Sequence, residues 1–307
     1  MKIFITGGTG FIGSHLSNSL LKKGHIVIAA GGRPVKGGAS HPNLKCISAD
    51  TTKKGSWQRE LEDVDAVINL AGRSIFKRWN EKYKKTIYES RILTTRNLVE
   101  ALPSGREITL CSTSAAGYYG NRGDDILTES EPPGSDFLAL VCRDWEKEAF
   151  RAGEKGVRVV AARFGVVLGK DGGALGKMIP AFRFFAGGPV GNGRQWFPWI
   201  HIEDLASAML FVFDNKAVSG PLNFTAPGSI RNKELVKALA AVLHRPAFMP
   251  APAFLIKIIL GEFGSSILAS QRAVPERLLK YGFSFRYPDI KSAVSNIVSD
   301  QPGFGMG

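Results

Sequence analysis

Three glycines near the start of the chain have the spacing that a bound diphosphate requires. Gly7, Gly10 and Gly13 form a G-x-x-G-x-x-G pattern directly after a short apolar run and before a helical pattern. Glycine lets the backbone turn sharply and lets main-chain N–H groups approach phosphate oxygens at a helix N-terminus. The pattern predicts a dinucleotide site, with a glycine turn that binds nothing as the alternative. The predicted contacts are Gly7, Thr9, Gly10, Phe11, Ile12 and Gly13.

The residues after the second apolar run indicate which dinucleotide binds. NAD enzymes usually place an Asp or Glu there, which accepts hydrogen bonds from the ribose hydroxyls. Here the chain reads Ala29-Ala30-Gly31-Gly32-Arg33, without a carboxylate, and Lys36 follows. A guanidinium forms paired, charge-assisted hydrogen bonds with a 2′-phosphate, which a carboxylate would repel. We therefore predict NADP(H), with Gly32 and Arg33 among its contacts; a merely solvated Arg33 is the alternative.

Short β-branched runs alternate with helical patterns through the first two hundred residues. Several runs are continuously apolar, which is typical of parallel strands covered on both faces. The alternation predicts an α/β fold, a doubly wound parallel sheet (Rossmann) with a smaller, mostly helical C-terminal lobe. The predicted strands are Lys2–Thr6, Ile26–Ala30, Leu44–Ile47, Ala66–Leu70, Thr109–Ser112 and Val157–Ala162. The predicted helices lie near Phe11–Lys23, Trp79–Ala101 and Phe137–Ala152.

A change in pattern near residue 170 sets the predicted domain boundaries, because glycine-rich turns and prolines then separate shorter segments. We expect an NADP-binding Rossmann domain over residues 1–170, with further sheet elements from residues 195–225. Residues 171–297 form the predicted substrate lobe and C-terminal family domain. The polar, glycine-rich end, residues 298–307, is expected to be disordered.

The charge of the chain favours an anionic ligand. The 307 residues carry a formal net charge of +13, and 44% of them are apolar. A basic surface attracts nucleotides, phosphorylated substrates, nucleic acid or acidic lipid headgroups. The basic residues are dispersed, without an arginine-rich tail or zinc-finger spacing, and a nucleotide cofactor already accounts for part of the charge. We therefore expect no nucleic-acid partner.

Cysteines and apolar runs bear on the compartment. Cys46, Cys111 and Cys142 have neither disulfide nor metal-ligand spacing and lie in apolar stretches, so we predict buried free thiols, as in a reducing cytosol. The longest apolar region, Ala251 to Leu260, contains Lys257 and is too short to span a membrane. We expect a soluble, cytoplasmic protein with no leader peptide, no metal site and no membrane partner. The oligomeric state stays open.

Taken together, these motifs resemble the extended short-chain dehydrogenase/reductases, and most closely their atypical branch of epimerase family proteins. That branch is nucleoside-diphosphate-sugar epimerase-like and has a C-terminal domain of unknown function. Further support comes from Asn69-Leu70-Ala71-Gly72, from Trp199-Ile200-His201-Ile202-Glu203-Asp204-Leu205 and from Gln271-Arg272-Ala273-Val274-Pro275. The residues that the resemblance implies at the cofactor are Leu70, Ala71 and Gly72 along the adenosine ribose, Arg91 towards NADP, and the Val167 backbone near the nicotinamide.

One departure from the family pattern concerns catalysis. Active members carry Tyr-x-x-x-Lys, in which the tyrosine relays a proton and the lysine lowers its pKa. Alignment on Glu146 places Leu138 and Cys142 at these two positions, and neither side chain can do this chemistry. The Ser/Thr partner after the fifth strand is kept as Ser114, and Tyr118-Tyr119 follows it. The candidate catalytic residues are therefore Ser114 and Tyr118, with simple stacking of the tyrosines in the cleft wall as the alternative.

A second departure concerns the substrate. Sugar-nucleotide enzymes of this family carry an Arg that clamps the diphosphate, where this chain has Phe197, although Arg183 and Arg194 lie nearby in sequence. The family pattern places His201 beside the cleft, so we do not assign it as a base. We expect an aromatic-lined cleft for a small, partly apolar carbonyl or hydroxyl compound. Two hypotheses stay open: an NADP(H)-dependent oxidoreductase or epimerase-like enzyme, and a non-catalytic NADP(H)-binding regulator or sensor, since relatives bear a cell-division-inhibitor label.

Overall fold

A computed structural model describes residues 1–32, 41–170 and 172–299 of the chain. Its strands are β1 (Lys2–Thr6), β2 (Ile26–Gly31), β3 (Leu44–Ser48), β4 (Ala66–Asn69), β5 (Thr109–Ala115), β6 (Ile126–Leu127), β7 (Arg158–Phe164), β8 (Val166–Leu168), β9 (Trp196–Phe197), β10 (Trp199–His201), β11 (Gly220–Phe224), β12 (Ile230–Arg231) and β13 (Arg272–Ala273). Its helices are α1 (Phe11–Lys22), α2 (Glu81–Ala101), α3 (Phe137–Phe150), α4 (Leu175–Arg183), α5 (Ile202–Asp214), α6 (Asn232–Leu243), α7 (Ala253–Leu260), α8 (Glu262–Ile267), α9 (Glu276–Lys280) and α10 (Ile290–Ser299).

Seven parallel strands form the central sheet in the order β3-β2-β1-β4-β5-β7-β11. Each of the six predicted strands is present in it. Five lie within two residues of their predicted ends, and β5 extends three residues beyond its predicted end. The sheet and its flanking helices confirm the predicted doubly wound fold. The addition is β11, which pairs with β7 from within the residues expected to contribute further sheet elements.

Alternation along the strands explains why both faces of the sheet are covered. In β1, Ile3 and Ile5 point into one apolar cluster with Leu16 of α1 and Met209 of α5. Phe4 points the other way, into a second cluster that includes residues of α2. Because every strand residue faces one layer of helices or the other, the strand sequences are continuously apolar.

Polar side chains set where the long helices begin. The side chain of Asn80 accepts a hydrogen bond of 2.8 Å from the N–H of Tyr83, so α2 begins at Glu81, slightly later than predicted. Asp136 caps α3 in the same way, through the N–H of Ala139 at 3.0 Å. Such caps satisfy N–H groups that have no partner within the helix.

The strand order reverses between β1 and β4: strands before this point are added on one side of β1, and later strands are added on the other. Strands β2 and β3 lie on one side of β1, and β4, β5 and β7 lie on the other. In open α/β sheets, ligands bind outside the carboxyl ends of the strands at such a point. We call this place, where Thr6 and Asn69 end β1 and β4, the crevice.

The C-terminal part of the chain is mostly helical and has an apolar cluster of its own, to which Phe182, Trp199 and Leu239 contribute. Helix α10 packs into this cluster and extends to Ser299. The expectation of disorder from residue 298 is therefore wrong for Val298 and Ser299, because Val298 is buried in that cluster. Residues 300–307 lie outside the described residues.

The prediction for the cysteines is partly wrong. Cys111 and Cys142 are buried free thiols, as expected, but Cys46 is exposed. It lies on β3, the edge strand of the sheet, where an apolar run is covered only in part. Within the described residues, no helix combines the length and the apolar character needed to cross a membrane.

Candidate functional site

The glycine turn forms a cradle at the crevice. Gly7 has a φ of +67°, which favours glycine, and a side chain there would also meet the backbone of Leu70 at 3.0 Å. Gly10 precedes α1, whose first hydrogen bond joins the N–H of Ser14 to the Gly10 carbonyl at 2.8 Å. The N–H groups of Phe11, Ile12 and Gly13 therefore have no partner within the helix and lie where an anion can accept from them.

Close packing holds the cradle against the sheet. A side chain at Gly13 would overlap the Gly7 carbonyl oxygen, so the turn folds directly onto the first turn of α1. The N–H of Gly8 donates to the Ala30 carbonyl at 3.0 Å, and the side chain of Thr9 occupies the space above Gly31. The turn is thereby fixed to the end of β2. Gly32 follows as an exposed residue, and Arg33 and Lys36 lie outside the described residues.

A buried polar network fixes the other wall of the crevice. The hydroxyl of Thr6 donates to Asn69 Oδ1 at 2.7 Å and accepts from the N–H groups of Leu70 and Ala71 at 3.1 and 3.2 Å. The amide of Asn69 donates to the hydroxyl of Thr95 at 2.8 Å. Leu70 and Ala71, which the resemblance implies at the adenosine ribose, therefore continue β4 along the rim of the crevice.

Arg91 brings a cation to this wall. A side chain on Gly72 would lie 3.0 Å from the Arg91 guanidinium carbon, so the two residues are in contact. The guanidinium donates to the carbonyls of Arg73 and Ile87, both at 3.1 Å, and lies over the ring of Trp145. Burial lowers the pKa of Arg91. Among the described residues no carboxylate pairs with it, so the fit is with an anion from outside the chain.

Ser114, Tyr118, Leu138 and Cys142 form a second part of the site, which we call the catalytic corner. Ser114 lies in β5 and is 1% exposed. Its hydroxyl has no hydrogen bond of good geometry within the described residues. It lies close to the Cys142 thiol, and this contact slightly lowers the pKa of that thiol. Burial dominates and raises the pKa of Cys142 to about 11, so the thiol is neutral. Leu138 lies against Gly117.

A buried ion pair lies under the catalytic corner. Arg163 of β7 donates to both carboxylate oxygens of Glu146, each at 2.9 Å, and the two side chains are only 3% and 7% exposed. The ring of Tyr118 stacks on this guanidinium, with 3.5 Å between the guanidinium carbon and the ring centroid. Burial raises the pKa of the half-buried Tyr118, so its phenol stays protonated at neutral pH.

The neighbouring tyrosine has no free hydroxyl. Tyr119 is fully buried, accepts a hydrogen bond from Arg163 at 3.0 Å and donates to Asn223 Oδ1 at 2.7 Å. Burial raises its pKa to about 12. Tyr119 is therefore a structural residue, and of the tyrosine pair only Tyr118 is available for chemistry.

Sequence reasoning missed the Arg163–Glu146 pair as part of the site. A signal was present, because Arg163 is, with Arg158, one of two charged residues in a strand whose middle, Val159 to Ala162, is apolar and buried. A charge in such a strand must be paired to be tolerated. Nothing in the spacing, however, indicated that its partner would come from α3.

Val167 connects the cradle to the C-terminal part of the chain. Its strand, β8, pairs with β10, and Val167 itself is mostly buried. The segment that follows is close to the first residue of α1: side chains at Gly169 or Gly172 would collide with the ring of Phe11. The predicted cofactor contacts Phe11 and Val167 thus lie on two segments that touch.

Two residues that the sequence analysis considered for substrate binding, Phe197 and Arg194, have structural contacts. Phe197 packs against the apolar cluster of the lobe. Beside it, the ring of Trp196 lies between the guanidinium groups of Arg231 and Arg272, at 4.5 and 4.4 Å from its centroid. Sequence reasoning had instead considered Arg183 and Arg194; the carbonyl of Arg194 accepts a hydrogen bond from Arg231.

His201 acts as a helix cap. It is 2% exposed, its Nδ1 accepts from the N–H of Glu203 at 3.1 Å, and its ring packs on Tyr287. Burial lowers its pKa to about 4, so the ring is neutral and only a weak base, and its burial keeps it from contact with a substrate. Over the described ranges, no group of His, Cys, Asp and Glu side chains is arranged to hold a metal ion.

Comparison with known families gives two matches along the chain. Residues 3–224 match the model of the NAD dependent epimerase/dehydratase family, and residues 251–297 match a domain of unknown function, DUF1731. An Arabidopsis thaliana protein, the chloroplastic epimerase family protein SDR39U1 homolog, is 39% identical over 97% of this chain and 87% of its own length. Epimerase family protein YfhF of Bacillus subtilis is 39% identical over 98% of this chain and 99% of its own.

Solved structures show the same likeness. A crystal structure of human epimerase family protein SDR39U1 with NADPH is 32% identical, with a TM-score of 0.86 over 98% of this chain and 100% of that one. A Bacillus cereus UDP-glucuronic acid 4-epimerase, crystallised as a mutant with a UDP-sugar and NAD, has a TM-score of 0.80 over 97% of this chain and 98% of that one. At 16% identity it shares the fold alone.

Proposed function

Because the chain belongs to the NAD dependent epimerase/dehydratase family, we propose that it binds NADP(H) and is an oxidoreductase. Its substrate is a small, partly apolar carbonyl or hydroxyl compound. The observation that carries this proposal is the crevice, where the free amides of α1 lie at one wall and the partly buried Arg91 guanidinium, which has no carboxylate partner among the described residues, lies at the other. Both features suit the phosphates of a dinucleotide.

Three further points support NADP(H) over NAD(H). The human relative was crystallised with NADPH. No carboxylate follows β2 between Gly31 and Lys36, and Arg33 stands there instead. The residues proposed to hold the cofactor are Gly7, Thr9, Gly10, Phe11, Ile12, Gly13, Gly32, Arg33, Leu70, Ala71, Gly72, Arg91 and Val167.

The bound cofactor supplies or accepts the hydride, and the catalytic corner handles the proton. We assign the phenol of Tyr118 as the proton donor to a substrate oxygen during reduction, because this phenol is protonated at neutral pH and its neighbour Tyr119 is fully engaged. The Ser114 hydroxyl, which lacks a partner of good geometry in the described chain, positions that oxygen by a hydrogen bond after a small local adjustment. The side chains of Leu138 and Cys142 are neutral, so the environment proposed for the substrate oxygen is apolar.

The test is NADPH consumption over a broad panel of carbonyl compounds, with Tyr118→Phe alongside. Loss of the proton donor should lower kcat by about 10²- to 10⁴-fold while NADPH affinity is unchanged. Tyr281→Phe is the matched control and should keep full activity, because that phenol accepts a hydrogen bond from Arg277 and donates to the Ala217 carbonyl, outside the crevice. An unchanged kcat in Tyr118→Phe would contradict the assignment.

A second function rests on the same corner. Leu138 and Cys142 carry no charge, and Tyr119 is held by Arg163 and Asn223. These replacements favour a non-catalytic NADP(H)-binding regulator. Tight NADPH binding together with no turnover on any member of the panel would support the regulator and contradict the enzyme.

A further inference from the structure

A large apolar surface of the C-terminal part faces outward. Helix α7 reads Ala-Phe-Leu-Ile-Lys-Ile-Ile-Leu, and none of its residues is buried. Phe184 and Phe248 are 83% and 75% exposed on neighbouring loops. Soluble monomers rarely expose so large an apolar area without a function. We name this surface the apolar face; its members are Phe184, Phe185, Phe248, Met249, Phe254, Leu255, Ile258 and Ile259.

The segments of the apolar face are held next to each other. The N–H of Met249 donates to the Gly187 carbonyl, and the N–H of Ala251 donates to the Pro189 carbonyl at 2.9 Å. The guanidinium of Arg245 lies 5.0 Å from the ring centroid of Phe185. Phe185 has a φ of +59°, a costly backbone conformation for an aromatic residue, which is typical of functional positions. The face is therefore continuous and built, rather than a set of scattered side chains.

The segments that supply the apolar face carry charges of one sign. Residues 172–202 and 235–261, which supply it, contain no Asp or Glu. The nearest carboxylate along the chain, Glu262, is paired with Lys84 at 3.0 Å. The basic residues of these two segments are Lys177, Arg183, Arg194, Lys237, Arg245 and Lys257.

We propose that the apolar face docks this protein onto the surface of an anionic phospholipid bilayer. Phe and Ile side chains suit the acyl boundary, and Lys257 and Arg245 suit acidic headgroups. A second copy of this chain fits less well, because a symmetric dimer would bring the same cations together without carboxylates to pair with them. The expectation of no membrane partner was based on the lack of a segment long enough to span a membrane. Docking on the membrane surface does not require such a segment.

The test is flotation of the full-length protein with vesicles of phosphatidylcholine alone and with about one-third phosphatidylglycerol. We expect binding to the anionic vesicles that falls as salt screens the charges. The double variant Phe254→Ser/Ile258→Ser should weaken partitioning at least about tenfold, by loss of buried apolar area. Lys257→Gln should weaken it about fivefold, the factor that corresponds to about 1 kcal/mol per basic group.

The matched control is Leu279→Ser on α9, an exposed leucine outside the apolar face, which should float like the wild type. NADPH affinity and melting temperature should be unchanged in all the variants, since the substituted side chains are exposed. Equal binding to neutral vesicles, or no binding to anionic ones, would overturn the proposal. A wild-type dimer that dissociates in the double variant, without vesicle binding, would overturn it too and identify a second copy as the occupant.

Discussion

The cradle and the catalytic corner lie at the same edge of the sheet, yet they differ in what holds them. The cradle is made of backbone: Gly7, Gly10 and Gly13 bring amides to the crevice, and side chains at Gly7 or Gly13 would collide with backbone atoms. The catalytic corner is made of side chains, and it rests on the buried pair of Arg163 and Glu146. A backbone site tolerates almost no substitution, whereas a side-chain site can exchange its chemistry while its support stays in place.

This difference fits a chain that keeps the glycine turn and, on the proposed alignment, has Leu138 and Cys142 where family enzymes carry their Tyr and Lys. The Arg163–Glu146 ion pair is formed with Leu138 and Cys142 in place. We therefore expect cofactor binding and proton transfer to be separable, so that each can be removed in turn.

The largest effect is expected where the corner departs from sugar-nucleotide enzymes. Incubation with UDP-glucose, UDP-galactose or dTDP-sugars and cofactor should give no epimer. General acid–base catalysis supplies about 10²- to 10⁴-fold in rate, and the proposed alignment places Leu138 and Cys142 where the Tyr and Lys that supply it usually stand. The same alignment places Phe197 where an Arg is expected to clamp the diphosphate. A UDP-galactose 4-epimerase serves as the positive control. Robust turnover by this protein would overturn the distinction, and Tyr118→Phe would then show whether that phenol is responsible.

Breaking the Arg163–Glu146 ion pair that supports the corner should strongly lower the stability of the fold. Glu146→Gln leaves the buried Arg163 without its counter-charge, so the free energy of unfolding should fall by about 3–5 kcal/mol in denaturant titrations. Glu107→Gln is the matched control, because Glu107 pairs with Lys216 in an exposed ion pair, at 87% and 79% exposure. That variant should lose little stability, because exposed ion pairs contribute little. Similar losses in both variants would mean that the corner does not depend on its ion pair.

The cradle should fail in binding rather than in folding. At Gly10 an added Cβ would meet only the Gly7 carbonyl oxygen, at 3.2 Å, so Gly10→Val should fold with a small loss of stability. NADPH affinity should drop at least about 100-fold, because two or more charge-assisted hydrogen bonds to phosphate are lost. Gly153→Val, where an added Cβ would meet nothing within 4 Å, is the control. Calorimetry that finds normal NADPH binding in folded Gly10→Val would place the phosphate site elsewhere.

The smallest effect concerns cofactor choice at the end of the cradle. NADPH should bind at least about tenfold tighter than NADH, and Arg33→Ala should remove most of this preference, since one charge-assisted interaction is lost. The exposed Arg59→Ala is a control of equal charge. Equal affinity for the two cofactors in the wild type, or an unchanged preference in Arg33→Ala, would remove the role given to Arg33.

Sequence predicted the cradle well because everything that defines it is local. The strand, the three glycines and the helix all lie within the first 22 residues, and each follows a spacing rule. The catalytic corner was harder to predict from the sequence. Tyr119 and Asn223, whose side chains share a hydrogen bond, are 104 residues apart, and no spacing rule connects them. Only the arrangement of β5, β7 and β11 in the sheet brings these residues together.

Strand order also explains the error at Cys46. Its run resembles the buried strands in composition, but β3 has a neighbour on only one side. The exposure of α7 has a similar origin: the apolar run from Ala251 to Leu260 was visible in the sequence, yet only tertiary packing reveals that nothing in the described chain buries it. Local pattern specifies which elements form, and it does not specify which of them lie at the edge.

The contact between Phe11 and the segment after β8 gives a physical route between the cradle and the C-terminal part of the chain. Phe11 is the first residue of α1, beside the amides proposed to bind phosphate, and the glycines that enclose its ring lead directly into α4. A cofactor that moves Phe11 would therefore also change the packing at the start of α4. Such coupling is reciprocal: the factor by which the cofactor changes the affinity for a substrate is the factor by which that substrate changes the affinity for the cofactor. We therefore expect the two ligands to bind with coupled affinities, even where the substrate does not contact the phosphates of the cofactor.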